Sequence, residues 1–489
     1  MRNFVILNLK SSIIKLFHVL SLFFMVSTLF FYSCKSEKHK VIDEDPWSKM
    51  QQIEDSIIVP VFLDKIYSVL DFGAVPDGLT DNTEAFKKAI KTCTENGGGK
   101  VVVPKGKYIT GPIHLENNVN LHLDEESEIL FSTNPNDYYP LVHTSYEGIE
   151  LINYSPLIYA YKKKNIAVTG KGILNGQASN DHWWPWCGKD TYGWKEGMPK
   201  QQDSLNLPSL MDMGDMGVPV EERIFGNNHF LRPSFFEPFE CNNVMIQGVK
   251  IVNSPFWVIH PMKSNFVIVD GVTVESHGPN NDGCDPEYSK NVIIKNCTFN
   301  TGDDCIAIKA GRDADGRRVA IKSENIIVKN CKMIDGHGGV VIGSEMSAGV
   351  TNVFVEDCVM DSPNLDRAIR IKTNSRRGGI VDGVYVRNIE VGQVKEAVLK
   401  INMFYATYGN QTGEFIPTIQ NISLENVKVK NGGYFGILAK GYAESPIRNV
   451  TLKNVIIEKV DKAYELENVL DLRLIDTYIN GSLMQSPTN

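Results

Sequence analysis

Asn291-Val-Ile-Ile-Lys-Asn-Cys-Thr-Phe, Asn325-Ile-Ile-Val-Lys-Asn-Cys-Lys-Met and Asn352-Val-Phe-Val-Glu-Asp-Cys-Val-Met are versions of one phrase. Apolar and polar residues alternate on both sides of an Asn or Asp, as in two short strands meeting at a tight corner. The unit also starts at Asn243, Asn265, Gly383, Asn421 and Asn449, so successive starts fall 22, 26, 34, 27, 31, 38 and 28 residues apart. No single unit can bury its apolar side. Stacking one unit on the next joins those sides into a continuous core and pairs equivalent strands in parallel. The expected fold is all-β, a single-stranded right-handed parallel β-helix.

The corner residues Asn296, Asn330, Asp357, Asn388, Asn426 and Asn454 suit a left-handed bend, which Asn and Asp tolerate better than other side chains. Cys297, Cys331 and Cys358 follow that corner where Val249, Ile389, Val427 and Val455 stand in other units. They are expected to be small buried hydrophobes stacked in line. Upstream, Ala85, Phe86, Ala89 and Ile90 make one apolar stripe, and Asp81 with Glu84 resembles a capping box. A helix from Asn82 to about Thr94, ended by Gly97-Gly98-Gly99, is expected to cover the open N-terminal end of the core.

Length alone, at 489 residues, suggests two or three domains, but the repeats argue for one spanning 61–489. Its periodicity lapses over 177–233 into a Trp-, Met- and Pro-rich excursion, expected to be a long loop over one face. Before it, Arg2, Lys10 and Lys15 precede an apolar run from Leu16 to Tyr32 that ends in Ser33-Cys34. This pattern reads as a secretory signal of residues 1–33 in preference to a retained membrane anchor, because the Cys after a small residue resembles a bacterial lipobox and no later segment is long enough to span a bilayer. Cys34 is then the lipidated residue, residues 34–60 a tether, and the location the cell envelope of a Gram-negative-type bacterium. Removing the three cationic residues of 1–33 changes the net charge from −8 to −11. So acidic a chain is not expected to bind nucleic acid. Eight cysteines besides Cys34 permit disulfides without requiring them. No CxxC or HExxH pair is present, so neither a metal nor another cofactor is expected.

Against this background one acid cluster stands out. Asn280-Asn281-Asp282-Gly283-Cys284-Asp285 is followed by Thr301-Gly302-Asp303-Asp304-Cys305, placing Asp282 and Asp304 22 residues apart. That is about one coil, and adjacent coils lie roughly 4.8 Å apart, so the carboxylates should converge. Gly336-His337-Gly338 and Arg370-Ile371-Lys372 follow at steps of 33 residues. Asn and Asp are also ordinary turn residues, and that plainer explanation carries half the weight for Asp285. It is weaker for Asp303 and Asp304, because adjacent carboxylates repel. Arg370 and Lys372, with Arg367, Arg376 and Arg377, form a basic cluster suited to a uronate carboxylate, although Arg376 and Arg377 could equally be a solvated run. Lys309 is a further candidate ligand.

These motifs resemble the polygalacturonase family, glycoside hydrolase family 28, over roughly 66–460. The family's Asn-Thr-Asp is matched by Asn280-Asn281-Asp282 with Asn for Thr, and Gly-Asp-Asp, Gly-His-Gly and Arg-Ile-Lys are matched intact. The resemblance implies inverting hydrolysis of α-1,4-galacturonosyl linkages in pectin. Asp303 would be the general acid, Asp282 and Asp304 would activate water, and His337 would tune the proton network. Arg370, Lys372 and Tyr405 would bind substrate, with Tyr408 the alternative tyrosine. The expected partners are a pectic poly- or oligosaccharide and, through Cys34, a membrane, with the protein itself a monomer. The excursion at 177–233 favours exo attack by blocking one end of a groove. Competing readings are a rhamnogalacturonan or xylogalacturonan hydrolase, a pectate lyase, and a non-catalytic glycan-binding β-helix.

Overall fold

The computed structural model describes residues 45–406 and 412–487. Cys34, the leader before it and Tyr408 lie outside the described residues. Contacts divide the chain into residues 1–49 and 50–489, and the architecture below is that of the second unit. The stretch read as tether is not all tether. Residues Pro46–Ser56 form helix α1, in which Met50 and Ile53 are buried and Glu54 pairs with Lys329 at 2.6 Å. Val61 then exchanges two hydrogen bonds with the Asn165 side chain. Apolar side chains and backbone bonding thus bring the ordered domain forward of residue 61.

Each coil of the body contributes strands to parallel ladders joined by right-handed turns, the sense that connected parallel strands adopt. The coil following Ser289 is typical: strand Lys290–Lys295, corner at Asn296, strand Thr298–Thr301, a second turn, and strand Ile306–Ile308. Register aligns Val292, Ile326, Val353, Val384, Ile422 and Val450, all at most 2% exposed. The alternation seen in the sequence therefore places one apolar residue per coil on a common line. Matching strands extend the solenoid upstream of Asn243 through Lys164–Gly170, Val119–Leu123 and Gly99–Val103 to Ile66–Ser68. Strand Val469–Ile475 extends it past the last recognised repeat.

The corner residues do adopt left-handed backbone, with φ of 52° to 57° from Asn296 to Asn454. Cys297, Cys331 and Cys358 stack behind them, each about 1% exposed, and all eight described cysteines are free and buried. Helix α2, Thr83–Glu95, buries the expected stripe together with Cys93. Its start differs from the expected capping box. Asn82 is the cap residue but makes no side-chain cap bond, because its amide ties Val75, Thr80 and Ile109 together. Asp81 accepts instead from Thr83.

The excursion at 177–233 is more ordered than a loop. It carries helix α3, Leu207–Met216, and packs against an antiparallel hairpin, Val142–Tyr146 with Ile149–Asn153, that the repeat pattern gave no sign of. Tyr146, Ile149, Leu151, Leu207, Leu210 and Trp257 belong to a second, smaller core there. A short helix α4, Asp313–Val319, packs on α3 and the hairpin. Among the described residues no helix is long and apolar enough to cross a membrane.

Candidate active site

The acids sit where each coil turns from its second strand into its third. Gly283 N–H donates to Asp304 O and His337 N–H to Asp303 O, so backbone bonds between coils hold the three turns together. Gly336 is needed there: its φ is 150°, and a Cβ would lie 2.5 Å from Asp303 O. Asn281 is buried and braces the turn. Its amide donates to Ser254 O and Phe256 O while its oxygen accepts from Ser276 Oγ and Gly278 N.

Asp282, Asp303 and Asp304 converge as expected, each offering an oxygen within 4.8 Å of the others. Asp303 Oδ1 bonds His337 Nδ1 at 2.9 Å. Asp304 receives Lys372 Nζ at 2.7 Å, and Arg370 Nη1 lies 3.5 Å away. Both cations lie over the Tyr405 ring, 5.4 Å from its centre. A divalent metal could by spacing use the same three acids. However, Lys309, Arg370 and Lys372 already place fixed positive charge against them, which satisfies the cluster without one.

Local charge sets the acids apart. Burial, then the Asp303 charge, push Asp282 up to about 7, with Lys309 opposing. Burial would also raise Asp303, but the His337 hydrogen bond and charge outweigh it and hold this carboxyl below the usual range. His337 responds in kind: the hydrogen bond to Asp303 and that residue's charge raise it to about 9. The pair thus holds one proton, resting on the imidazole.

Not every predicted cation faces the cavity. Arg377 is buried on Asp313 at 2.5 Å, and Arg376 pairs with Asp313 and Asp215, so both brace α4. Arg367 does line the cavity, but its charge is paired with Asp366 and Glu396 and it donates to His337 O. The adjacent acids claim these charges. Lys309 lies within 3.5 Å of Asp282, Asp285 and Glu345. A cavity of about 550 Å³ opens over the acids and is lined also by Trp257, Arg312, Glu147, Gln201 and Gln202. Sequence reasoning missed those residues. Arg312 carried a signal, as a second cation three residues beyond Lys309; Trp257 lies in a repeating coil in register with Asp282, and Glu147, Gln201 and Gln202 belong to non-repeating segments.

The cavity lies on an outward row whose register runs through Glu237, His260, Asp285, Ala307, Val341, Arg370 and Lys400. At its N-terminal end the hairpin covers the row. Thr144 donates to Glu237 at 2.7 Å, Ser145 to Glu287 at 3.1 Å, and Glu237, His260 and Glu287 are wholly buried. At the tip Glu147 pairs with Arg312 at 2.7 Å.

A family model described as glycosyl hydrolases family 28 matches residues 226–474, half of the chain. The solved structure of a hyperthermoactive exopolygalacturonase from Thermotoga maritima is 43% identical, covering 88% of this chain and 96% of that one with a TM-score of 0.83. The chain belongs to glycoside hydrolase family 28. A second model, described as rhamnogalacturonase A/epimerase, pectate lyase-like, matches residues 66–137 of this family 28 protein. A probable polygalacturonase of Vitis vinifera is 28% identical, over 81% of this chain and 75% of its own length. An exo-poly-alpha-D-galacturonosidase of Dickeya chrysanthemi is 27% identical, over 75% of this chain and 62% of its own length.

Proposed function

We propose that this family 28 protein hydrolyses α-1,4-galacturonosyl linkages of pectic galacturonan, removing sugar from a chain end. The observation that carries the proposal is the convergence of three aspartates with Arg370 and Lys372 in one cavity. Acids supply proton transfer, and a paired guanidinium and ammonium suit a uronate carboxylate. An anionic substrate beside Asp303 raises its proton affinity, so the proton held by His337 crosses the 2.9 Å bond to Asp303, which passes it to the leaving glycosidic oxygen. Asp282, with Asp304 positioned by Lys372, takes a proton from the attacking water as the C1–O bond breaks. The closest carboxylate oxygens approach to within 4.8 Å, less than the roughly 6.5–9.5 Å between carboxyl groups of a typical inverting pair. Inversion is therefore argued from the family resemblance, not from spacing.

Exo attack is supported by the covered end of the row, where the hairpin lies over Glu237 and Glu287 and the Glu147–Arg312 pair forms one wall of the cavity. Digestion of polygalacturonate, rhamnogalacturonan and xylogalacturonan, followed by product sizing and NMR of the first anomer formed, tests these points. Short products of inverted configuration from polygalacturonate alone are expected. A ladder of intermediate lengths would overturn exo action, retained configuration would overturn inversion, and unsaturated ultraviolet-absorbing products would indicate a lyase. Envelope anchoring through Cys34 is part of the proposal and rests on the leader alone. Cys34→Ser should release the protein from membranes or leave it uncleaved.

A further inference from the structure

Beneath the catalytic carboxylates lies a buried group of charges that the reaction above does not use. Lys309 Nζ is 3.5 Å from Asp282 Oδ2, 3.5 Å from Asp285 Oδ1 and 3.5 Å from Glu345 Oε2. On its remaining side it lies 4.4 Å from the centre of the Trp257 ring. Only 3% of its side chain is exposed. An ammonium so enclosed has little left to offer a sugar carboxylate unless it abandons one of its own acids. Its place is that of a fixed internal counter-charge.

Asp285 is enclosed more completely. It is wholly buried, neither oxygen is in a well-formed hydrogen bond, and Asp282 is its neighbour in the same turn. A carboxylate ionised there would face the Asp282 charge with little solvation, so the site favours a protonated carboxyl. Burial and the Asp282 charge push Asp285 in that direction, well above the ordinary carboxylate range. Charged groups reach Asp282 from each element packed around it: Asp285 from its own turn, Lys309 and the Asp303–Asp304 pair from the next coil, and Lys372 from strand Arg367–Lys372. Glu345 reaches it only through Lys309.

We propose that Asp285 and Lys309 are positioning residues for Asp282, Asp285 sharing its proton with the Asp282 carboxylate and Lys309 supplying charge that favours the ionised form of Asp282, the form that receives the water proton. Neither touches the substrate. The inference rests on the assignment of Asp282 to the attacking water. It accounts for a lysine that lines the cavity yet is almost wholly enclosed, and for a buried acid that makes no well-formed hydrogen bond.

The test is the pH profile of kcat/KM and the KM on oligogalacturonates for wild type, Lys309→Met, Lys309→Arg, Asp285→Val and Asp285→Asn, with thermal unfolding recorded for each. The acidic limb reports the group that must be ionised in the free enzyme. Without the lysine charge Asp282 holds its proton more tightly, so Lys309→Met should move that limb to higher pH by about one unit or more, with KM changed by less than about threefold. Lys309→Arg keeps the charge and should leave the limb in place. Asp285→Val removes the donor and should move the limb to higher pH as Lys309→Met does, whereas Asp285→Asn, which keeps the shape and a permanent donor, should move it less. A KM raised about tenfold by Lys309→Met with the limb unmoved would show that Lys309 holds substrate, overturning the inference. An inactive but normally folded Asp285→Asn would overturn it too. Should Lys309→Met fail to fold, a shifted limb in Lys309→Arg or an inactive, folded Asp285→Asn still decides against it. Wild type that releases no reducing ends from galacturonan would instead defeat the hydrolase proposal itself.

Discussion

The two corners of each coil obey opposite rules. At the corner between the first and second strands the later coils do the same thing. Asn388 donates to Asp357, Asn426 to Asn388 and Asn454 to Asn426, at 2.7–3.1 Å, and each backbone is left-handed. At the corner between the second and third strands successive coils present Asp282, then Asp303 and Asp304, then His337. Repetition stabilises, since each amide satisfies the next. The second corner instead gathers like charges that repel one another and are held only by cations brought from other coils. A solenoid tolerates this because its core depends on the strand interiors and the first corner, leaving the other corner free to vary.

On that division, the largest effect belongs to the second corner. Asp303→Asn should cost about 10²–10⁴ in kcat, with a melting temperature close to wild type, as steady-state kinetics and calorimetry would show. A large loss of stability would blur the distinction between the corners.

A strand-interior change should do the reverse. Ile326→Ala, on the aligned core row, should destabilise by about 2–5 kcal/mol in denaturant titration. The folded fraction should turn over normally.

The proton shared by Asp303 and His337 sharpens the comparison through pH. His337 is raised in the folded protein, so its stabilising contribution is complete below the unfolded imidazole value near about 6.5 and is lost as pH rises through about 9. Activity should fall along a basic limb near that value. His337→Gln should turn over more slowly and lack this limb in its pH–rate profile.

The smallest effect is expected at the first corner. Asn388→Ala should lose roughly 1–2 kcal/mol, because alanine resists the left-handed backbone. Asn388→Gly should lose less, since glycine tolerates that backbone and forfeits only the amide bonds. Equal losses in unfolding experiments would mean that the amide ladder, not the backbone, sets the corner.

Legibility in the sequence followed the same division. The corner asparagines, stacked cysteines and apolar alternation repeat, and repetition is visible in a single chain. Asp282, Asp303, Asp304 and His337 were visible because their spacing tracks the coil length. The basic run at Arg376 and Arg377 misled, since charge alone does not say whether a guanidinium faces solvent, substrate or Asp313. Hairpin 142–153 and the order within 177–233 escaped because their packing is with each other, outside any period.

By itself, then, the sequence determined the solenoid, the convergence of the acids and the family they belong to, because a coil of nearly constant length turns sequence spacing into spatial register. Tertiary structure alone decided which cations serve the acids, which end of the row is covered, and that Lys309 lies enclosed among three carboxylates. Those outcomes depend on side chains from segments far apart in sequence meeting in a low-dielectric space. There a few ångströms decide whether a charge is paired, and no local pattern encodes that distance.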